Sequence, residues 1–402
     1  MSQGIRVILF NSDEAYRPEI RHALLGIEGI KIIAEIEEPA MLMVAVQQYP
    51  CDLVLAHLDP CPEANLDISI QLAATFSDVP VFALSDCTEG QLILAAMRGG
   101  IREFLTKPFD VEQFIRAVEK SILSQPERKP QGKLYSVLGT QGGVGATTLA
   151  TNLAVEMADL NDGSVALVDF DFRFGQIATL LDLQPTYTIA DLCDTVEALD
   201  PSQVERAMLK HETGVHVLAR PQSFGQADLI TAAQGVNVLS TLQELYQYVI
   251  VDGPMRFDAG GKSVLDMADY TLLVLQLVVT SVRNTNRMLE ELRMQGYNFD
   301  RIRLVCNRVG EKEKAQLGAG SLGVEHIEST LNMKVFASVQ SDWKAIGTSI
   351  NMGQPLIKMM PKARTRLDVR EIAEKLLGTM DNDASTSGKK SGGFLSKIFS
   401  DA

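Results

Sequence analysis

A short apolar run, a glycine-rich loop and a helix-forming stretch follow one another in residues 134–154, which read LYSVLGTQGGVGATTLATNLA. Closely spaced glycines let the backbone turn tightly, and the N–H groups of such a loop and of the next helix can face a bound anion. The order predicts a phosphate-binding loop in an α/β fold. The general motif has a lysine before its final Ser or Thr, but here Ala146 precedes Thr147.

Composition sets broad limits on the chain. Its 402 residues are enough for two or three domains. The net charge of −14 argues against a nucleic-acid partner, because phosphate backbones are bound by clustered Lys and Arg. The five cysteines have no metal-ligand spacing, which indicates reduced thiols in the cytoplasm. No apolar run approaches the ~20 residues of a membrane-spanning helix, so we expect a soluble protein.

Alternating strand and helix patterns divide the chain into segments. Residues 1–124 and 134–380 each predict a doubly wound parallel-sheet domain, so the fold class is α/β. Residues 125–133, rich in proline and charge, predict a linker, and residues 381–402 predict a flexible tail. The strand candidates are 5–10, 30–36, 53–56, 79–84 and 103–105 in the first domain and 136–138, 165–168, 215–218, 248–251, 271–277, 303–306 and 335–339 in the second.

Three aspartates end apolar strand candidates of the second domain. Asp169 and Asp171 lie in VALVDFDFRFG, and Asp252 lies in YQYVIVDGP. Beside a phosphate-binding loop, carboxylates at strand ends are placed to hold Mg²⁺ and to orient an attacking water. Thr147 has the position of the hydroxyl that binds Mg²⁺ in such loops. Together these residues predict a site for a nucleotide with its metal ion.

The order of these motifs is similar to that of a known superfamily. TQGGVGATTLATNLA, VDFDFRFGQIATLLDL, IVDGP, SVRN and CNR together resemble the deviant-Walker ParA/MinD superfamily across nearly the whole second domain. Within it the resemblance is closest to TadZ/CpaE, the pilus-assembly proteins of tight-adherence (Tad) and related type IVc pilus systems. Members of that group carry a receiver-like domain before the ATPase-like domain, often with Ala in place of the loop lysine.

The resemblance implies ATP and Mg²⁺ as cofactors and a role for each matching position. Asp171 would be the catalytic residue that orients the water. Asp252 would act in the metal shell with Thr147, and Asn307 would recognise adenine. Nucleotide binding is further assigned to the loop and the start of the following helix: Gly142, Gly143, Val144, Gly145, Ala146, Thr147 and Thr148.

Two positions depart from the superfamily pattern. Its loop has a second lysine before the glycine pair, and Gln141 stands there, while Ala146 replaces the first. A hydrogen bond to a charged group contributes about 1.5–3 kcal/mol, so we expect weakened ATP binding. The second lysine reaches the transition state across a dimer, so we expect slow or absent hydrolysis. The alternative is a degenerate loop that binds nothing and only retains the fold.

The first domain resembles a response-regulator receiver with a CheY/flavodoxin-like fold, on the lines CDLVLAHLDP, VPVFALSD and REFLTKPFD. Receivers hold Mg²⁺ with three carboxylates, and most of that set is absent. We expect an atypical receiver-like domain that serves docking or dimerisation; the alternative is that Asp59 and Asp13 replace the missing acids. The corresponding positions are His57 for the phosphoacceptor, Asn11 and Ser12 for the acidic pair, Ser85 for the switch hydroxyl and Lys107 for the lysine.

The final residues, FLSKIFSDA, have a short amphipathic pattern. Phe394, Leu395, Ile398 and Phe399 fall on one helical face, with lysines nearby. The pattern is similar to the C-terminal membrane-targeting helix of MinD and predicts attachment to an anionic membrane surface. Docking on a protein surface and a disordered end are the alternatives.

These features favour a cytoplasmic, dimeric, ATP-binding localisation factor for the assembly of a Tad-type pilus and its secretion machinery. The resemblance implies a pilus secretion ATPase and inner-membrane platform proteins as partners. It also implies a peripheral position at the inner membrane, with a cell pole as one location. No nucleic-acid partner is expected. The alternatives are an active MinD/ParA-type ATPase that cycles on membrane or DNA, and a non-enzymatic signalling adaptor.

Overall fold

The computed structural model describes residues 4–123, 131–161, 164–193, 199–254, 259–310 and 322–386. The chain divides into two compact units. Of the described residues, the first unit contains those up to Gln131 together with Leu292–Asn298, and the second contains Gly132–Glu291 and residues 299–386. The core of the predicted linker and the predicted amphipathic tail lie outside the described residues.

The first unit alternates strands and helices. Its elements are β1 (Ile5–Asn11), α1 (Arg17–Leu25), β2 (Ile30–Ile36), α2 (Pro39–Gln48), β3 (Leu53–His57), α3 (Pro62–Thr75), β4 (Val81–Ser85), α4 (Gly90–Arg98), β5 (Glu103–Thr106) and α5 (Val111–Val118). The strands form a parallel sheet in the order β2-β1-β3-β4-β5. This is the strand order of flavodoxin-like doubly wound sheets.

The second unit is larger and is also built on a mainly parallel sheet. Its elements are β6 (Lys133–Gly139), α6 (Ala146–Leu160), β7 (Val165–Asp169), α7 (Ile177–Leu180), α8 (Ile189–Cys193), α9 (Pro201–Ala207), β8 (Leu209–Lys210), β9 (Val215–Leu218), α10 (Phe224–Leu229), α11 (Ala232–Leu245), β10 (Tyr248–Pro254), α12 (Ala259–Met267), β11 (Tyr270–Gln276), α13 (Val279–Met294), β12 (Ile302–Val309), α14 (Val324–Leu331), β13 (Val335–Gln340), α15 (Trp343–Met352), α16 (Leu356–Met359) and α17 (Arg364–Thr386). The sheet order is β13-β12-β11-β6-β10-β7-β9-β8, and only the β8–β9 pair is antiparallel.

Apolar runs and capping residues explain where these elements lie. All residues of β3 and β7 are buried, as expected for parallel strands that helices cover on both faces. A proline in the first turn starts α1, α2 and α3, where its missing N–H costs nothing. Asp200, Ser223 and Thr231 form capping boxes at the starts of α9, α10 and α11.

Every strand candidate is a strand in the structure, but three details differ from the expectations. The sequence does not predict β8, because its two residues carry no readable apolar pattern. Lys133 belongs to β6, where it pairs with Tyr248, and not to the linker. α17 continues to Thr386, into the predicted tail, since each added residue gains a hydrogen bond once a helix is nucleated.

A buried carboxylate joins two helices of the second unit. Glu156 of α6 is 1% exposed and accepts two hydrogen bonds from the Arg366 guanidinium of α17, at 2.6 and 2.8 Å. Arg370 donates a third at 3.1 Å. Burial raises the pKa of Glu156, and the two arginines limit the rise. This cluster fixes α17 against the helix that follows the glycine-rich loop.

The substitution Arg366→Ala should lower the free energy of unfolding by about 3 kcal/mol, because it leaves a buried carboxylate short of its bidentate partner. Urea unfolding of the full chain measures the loss. Lys334→Ala is the matched control, because the Lys334 ammonium is exposed to solvent in its ion pair with Glu328 and should contribute little to stability. Equal losses for the two variants would contradict a structural role for the cluster.

Candidate functional site: a lysine-free phosphate-binding loop

The loop between β6 and α6 lies at the carboxyl edge of the eight-stranded sheet. β6 pairs with β11 on one side and β10 on the other, and β10 pairs in turn with β7. Because these strands are parallel, their carboxyl ends meet at one edge. In open α/β sheets ligands bind at this edge, where the strand order reverses. The loop therefore lies beside Asp169, the last residue of β7, and Asp252, two residues before the end of β10.

Two glycines give the loop its turn. Gly143 has a φ of +78° and Gly145 a φ of +95°, both in the left-handed region that other residues rarely adopt. Gly145 immediately precedes Ala146, the first residue of α6. A Cβ at position 145 would overlap Nδ2 of Asn307. Backbone conformation and space both require glycine at this position.

Side-chain amides from neighbouring strands hold the loop in place. Gln276, at the end of β11, donates from Nε2 to the Gly143 carbonyl at 3.3 Å. Asn307, in β12, donates from Nδ2 to the Val144 carbonyl at 2.7 Å. Because both amides bond to carbonyl groups of the loop, they leave its N–H groups available.

Neutral side chains occupy both lysine positions. Gln141 accepts a hydrogen bond from Nδ2 of Asn284 at 3.1 Å, which ties the front of the loop to α13. Ala146 packs against the hydrophobic core of the unit. These positions help to shape the loop but supply no positive charge to a bound phosphate.

The loop and the first turn of α6 offer free hydrogen-bond donors. Among the described residues, the backbone N–H groups of residues 142–148 have no hydrogen-bond acceptor. The first N–H groups of a helix lack an intrahelical acceptor, and the helix dipole favours negative charge beside them. This arrangement suits a polyphosphate.

Two buried carboxylates lie beside the loop. Asp252 is 1% exposed, and its Oδ2 has no partner within the described ranges. The Thr147 side chain lies near enough to lower the pKa of Asp252. Asp169 is equally buried: its Oδ2 accepts the Ile177 N–H at 3.1 Å, and its Oδ1 has no hydrogen-bond partner in that same part of the chain. Unpartnered oxygens of buried carboxylates fit a hard cation such as Mg²⁺.

The protein alone does not provide a complete metal site in the part of the chain that the structure describes. No group of three or more His, Cys, Asp and Glu side chains there is arranged to hold an ion. Thr147 and Asp252 could supply two oxygen ligands, and Mg²⁺ requires more. The remaining ligands would have to come from phosphate oxygens and water.

Burial is the main cause of two raised pKa values at this edge. Burial, reinforced by the nearby charge of Asp252, raises the pKa of Asp169 to about 8. Burial also raises the pKa of Asp252 to about 7, with an opposing contribution from Thr147 and a further one from the charge of Asp171. The site therefore concentrates negative charge that a proton or a cation must balance.

Asp171, the predicted catalytic residue, lies in the turn after β7. Its Oδ1 accepts the N–H groups of Arg173 and Phe174 at 3.3 and 3.1 Å. Gly175 completes the turn, and a Cβ there would overlap the carboxyl group of Asp169. The turn thus orders Asp171 beside the two buried aspartates, while its role toward water stays a prediction.

Thr148 and Asn307 line a cavity of about 50 Å³ on the other side of the loop. Asn307 binds the Val144 carbonyl through Nδ2, and its Oδ1 accepts the Arg308 N–H at 2.9 Å. The amide keeps a second N–H and a second lone pair, so contact with adenine stays a prediction. Arg308 stacks over the Trp343 ring, 4.5 Å from its centroid. The cavity has room for water.

The structure brings most of the predicted second-domain site together. The loop, Asp171, Asp252 and Asn307 meet at one sheet edge, and Phe394, Leu395, Ile398 and Phe399 lie outside the described residues. From the sequence, Asp169 has only a role shared with the other strand-end aspartates, and Gln276 and Asn284 have none. Asp169 shares its strand-end run with Asp171, Gln276 ends an apolar strand, and Asn284 lies in the quoted SVRN run.

The sheet, the loop and the acidic strand ends define the second unit as a P-loop domain. Residues 132–297 match the family model described as an AAA domain. The septum site-determining protein MinD of Bacillus subtilis (strain 168) is 28% identical over 249 residues, 61% of this chain and 90% of that protein. MinD of Synechocystis sp. is 27% identical over 249 residues, with the same coverage.

Solved structures agree with this class. The ParA family ATPase from Chlorobium tepidum TLS has a TM-score of 0.56 at 21% identity and covers 61% of this chain and 99% of its own. MinD in the MinC:MinD complex of Aquifex aeolicus has a TM-score of 0.53 at 22% identity, with 61% and 96% covered. MinD of Pyrococcus horikoshii OT3, complexed with Mg-ADP, has a TM-score of 0.52 at 18% identity, with 64% and 100% covered. The second unit has the ParA/MinD fold.

The raised pKa of Asp252 predicts a pH-dependent stability. Its folded pKa of about 7 exceeds the ordinary 3.8, so the folded chain binds the extra proton and wild type loses stability as pH rises between these values. Asp252→Asn avoids this loss. The free energy of unfolding of the variant minus that of wild type should therefore be roughly 1–3 kcal/mol larger at pH 8 than at pH 5. Urea unfolding in EDTA measures both proteins. A difference that does not change with pH would refute the assignment.

Proposed function

We propose that the second unit binds ATP with Mg²⁺ weakly, dimerises in response, and hydrolyses the nucleotide slowly or not at all. One combination carries this proposal: the donor loop, Thr147 and the buried Asp252 are present, while Ala146 and Gln141 stand at the lysine positions. The likeness to MinD and to a ParA family ATPase supports the nucleotide, and the Mg-ADP bound to the Pyrococcus horikoshii protein supports the metal.

Magnesium has a larger share of the binding energy here than in a loop with lysines. A polyphosphate that enters this edge approaches Asp169 and Asp252, both buried and both able to become negative. The helix dipole contributes at most about 2 kcal/mol toward the phosphates. A divalent cation between Asp252, Thr147 and the phosphates would remove the repulsion. We therefore expect ATP without Mg²⁺ to bind very poorly.

Slow turnover follows from the same lack of charge. Positive groups that face the charge developing on a transferring phosphate commonly accelerate reactions more than 10²-fold. Gln141 can only donate a neutral hydrogen bond, and its Oε1 is already bonded to Asn284. Asp171 would orient water, but no lysine would stabilise the transition state. A bound ATP would then persist and keep a dimer together.

The finer proposal is that this switch positions the assembly machinery of a Tad-type pilus, as in TadZ/CpaE. A flavodoxin-like unit precedes the P-loop unit, and this supports the receiver-like assignment of the first unit. The proposed partners are a second copy of the chain, a pilus secretion ATPase and inner-membrane platform proteins. The proposed location is the cytoplasmic face of the inner membrane, with a cell pole as one position. Within the described ranges, no helix has the length and apolarity to cross a bilayer.

A second candidate is an active MinD/ParA-type ATPase that cycles on a membrane or on DNA. The sequence relatives favour it, because MinD proteins from several organisms match most of the second unit. The residues at the two lysine positions and the net charge of −14 count against it. A turnover rate comparable to that of ordinary ParA-type ATPases in the pure protein would favour this candidate over the first.

Restoring one lysine tests the nucleotide switch. Ala146→Lys should tighten Mg-ATP binding about 10–100-fold, because it adds a charge-assisted hydrogen bond to the phosphates. Isothermal titration calorimetry measures affinity, and light scattering after gel filtration measures dimerisation. Ala146→Met is the control, because it adds similar length without charge. If wild type gives no heat at millimolar Mg-ATP and its oligomeric state ignores the ligand, the proposal is wrong.

Removing residues 394–402 tests membrane attachment. The truncated chain should lose its binding to vesicles that contain anionic lipid, because it loses Phe394, Leu395, Ile398 and Phe399 together. Co-sedimentation with Mg-ATP present measures the bound fraction. The bound fraction of the full-length chain with both Phe394→Ser and Phe399→Ser should fall by a similar amount. This double variant excludes an effect of chain length alone. Equal pelleting of wild type and truncated chain would remove the membrane from the proposal.

A further inference from the structure

In the first unit, three hydrogen-bond donors converge on one buried carboxylate. The Asp59 side chain is 8% exposed, and the Lys107 ammonium lies 2.7 Å from its Oδ2. The Ser85 hydroxyl donates to Oδ1 at 2.9 Å, and the Asp86 backbone N–H donates to Oδ2 at 3.0 Å. Asp59 follows β3, while the donors come from the ends of β4 and β5. Three adjacent strands therefore meet at this carboxyl group.

The cation in this cluster is held from two sides. Lys107 Nζ lies over the Tyr16 ring, 4.5 Å from its centroid, as well as against Asp59. Burial alone would raise the pKa of Asp59, but the hydrogen bonds from Lys107, Asp86 and Ser85 outweigh it and lower the pKa. The carboxyl group is therefore ionised at neutral pH. Charge-assisted hydrogen bonds of this kind are about twice as strong as neutral ones.

The residues at the other receiver positions are bonded to one another. Nδ1 of His57 lies 2.7 Å from Oδ1 of Asn11, which also accepts the Asp13 N–H at 3.0 Å. Oδ1 of Asp13 accepts the Ala15 N–H at 3.0 Å in a local turn. Ser12 accepts a hydrogen bond from Asn65 at 3.3 Å. Nε2 of His57 lies 3.3 Å from Oδ2 of Asp59. Asp59 is thus the buried carboxylate at the Ser85–Lys107 donor set, while the exposed carboxylate of Asp86 lies farther from the Lys107 ammonium, at 3.9 Å.

We infer that Ser85, the Asp86 N–H and Lys107 form an oxyanion-binding site whose built-in ligand is the Asp59 carboxylate. An ammonium, a hydroxyl and a backbone N–H bind phosphate oxygens as readily as carboxylate oxygens. Asp59 is part of the same chain, so its effective concentration exceeds that of free phosphate in the cell. The site is therefore permanently filled in wild type, and a phosphate-sized anion enters only when Asp59 is removed.

With Asp59 as its built-in ligand, the donor set of the first unit stays occupied at all times. The carboxylate already neutralises Lys107 and already satisfies Ser85, so the unit needs neither a metal ion nor a transferred phosphoryl group to order the ends of β4 and β5. The inference concerns the first unit only and does not depend on nucleotide binding by the second.

Differential scanning calorimetry of the full chain with inorganic phosphate tests the inference at constant ionic strength. In chloride, Asp59→Ala should have a lower melting temperature than wild type. In saturating phosphate, the melting temperature of the variant should rise by at least ~2 °C. Wild type is the matched control, because phosphate bound to the P-loop affects both proteins alike. Its melting temperature should rise less in phosphate than that of Asp59→Ala. The double variant Asp59→Ala with Lys107→Ala should lose the extra gain. Asp59→Ser serves in the same way if Asp59→Ala does not fold.

Two outcomes would overturn the inference. The first is a folded Asp59 variant whose response to phosphate equals that of wild type. The second is a wild-type gain that Lys107→Ala abolishes, because it would mean that external phosphate reaches the donor set despite Asp59.

Discussion

The second unit depends on a charge imbalance at the carboxyl edge of its sheet. Asp169 and Asp252 are buried there with oxygens that have no partner among the described residues, and neither lysine position carries a cation. In most phosphate-binding loops a lysine ammonium contacts the phosphates. Here a proton or a metal ion would have to balance the negative charge that the loop lysines usually offset. The affinity, metal requirement and slow chemistry that we propose for the unit follow from this single arrangement.

Each unit has a set of hydrogen-bond donors at the carboxyl ends of its strands, and the two sets differ in whether they are occupied. In the first unit, the donors at the ends of β4 and β5 are already occupied by Asp59. In the second, the N–H donors of the loop and one oxygen of each neighbouring carboxylate have no partner among the described residues. A filled donor set keeps one state, whereas an open one changes state when a ligand binds. On the two proposals made above, the P-loop unit would be the part of the protein that responds to a ligand, and the first unit would provide a fixed surface.

Long apolar strands and the loop could be predicted from the sequence because each is a local pattern. β3 and β7 are continuous apolar runs, and the glycine spacing around Gly143 and Gly145 is readable in one line. The contacts of Asp59 could not be predicted, because Ser85 and Lys107 are distant in sequence and meet it only through the order β3-β4-β5. Gln276 and Asn284 were missed for the same reason: their amides act on a loop more than 130 residues away. β8 is too short to leave any pattern.

Gly175 leaves space for the carboxyl group of Asp169. Its backbone lies so close to the Asp169 carboxyl group that any side chain at 175 would occupy the same space. A methyl group at 175 would force the turn or the Asp169 carboxyl group to move. The absence of a side chain at 175 therefore sets the place that the Asp169 carboxyl group can take at the sheet edge.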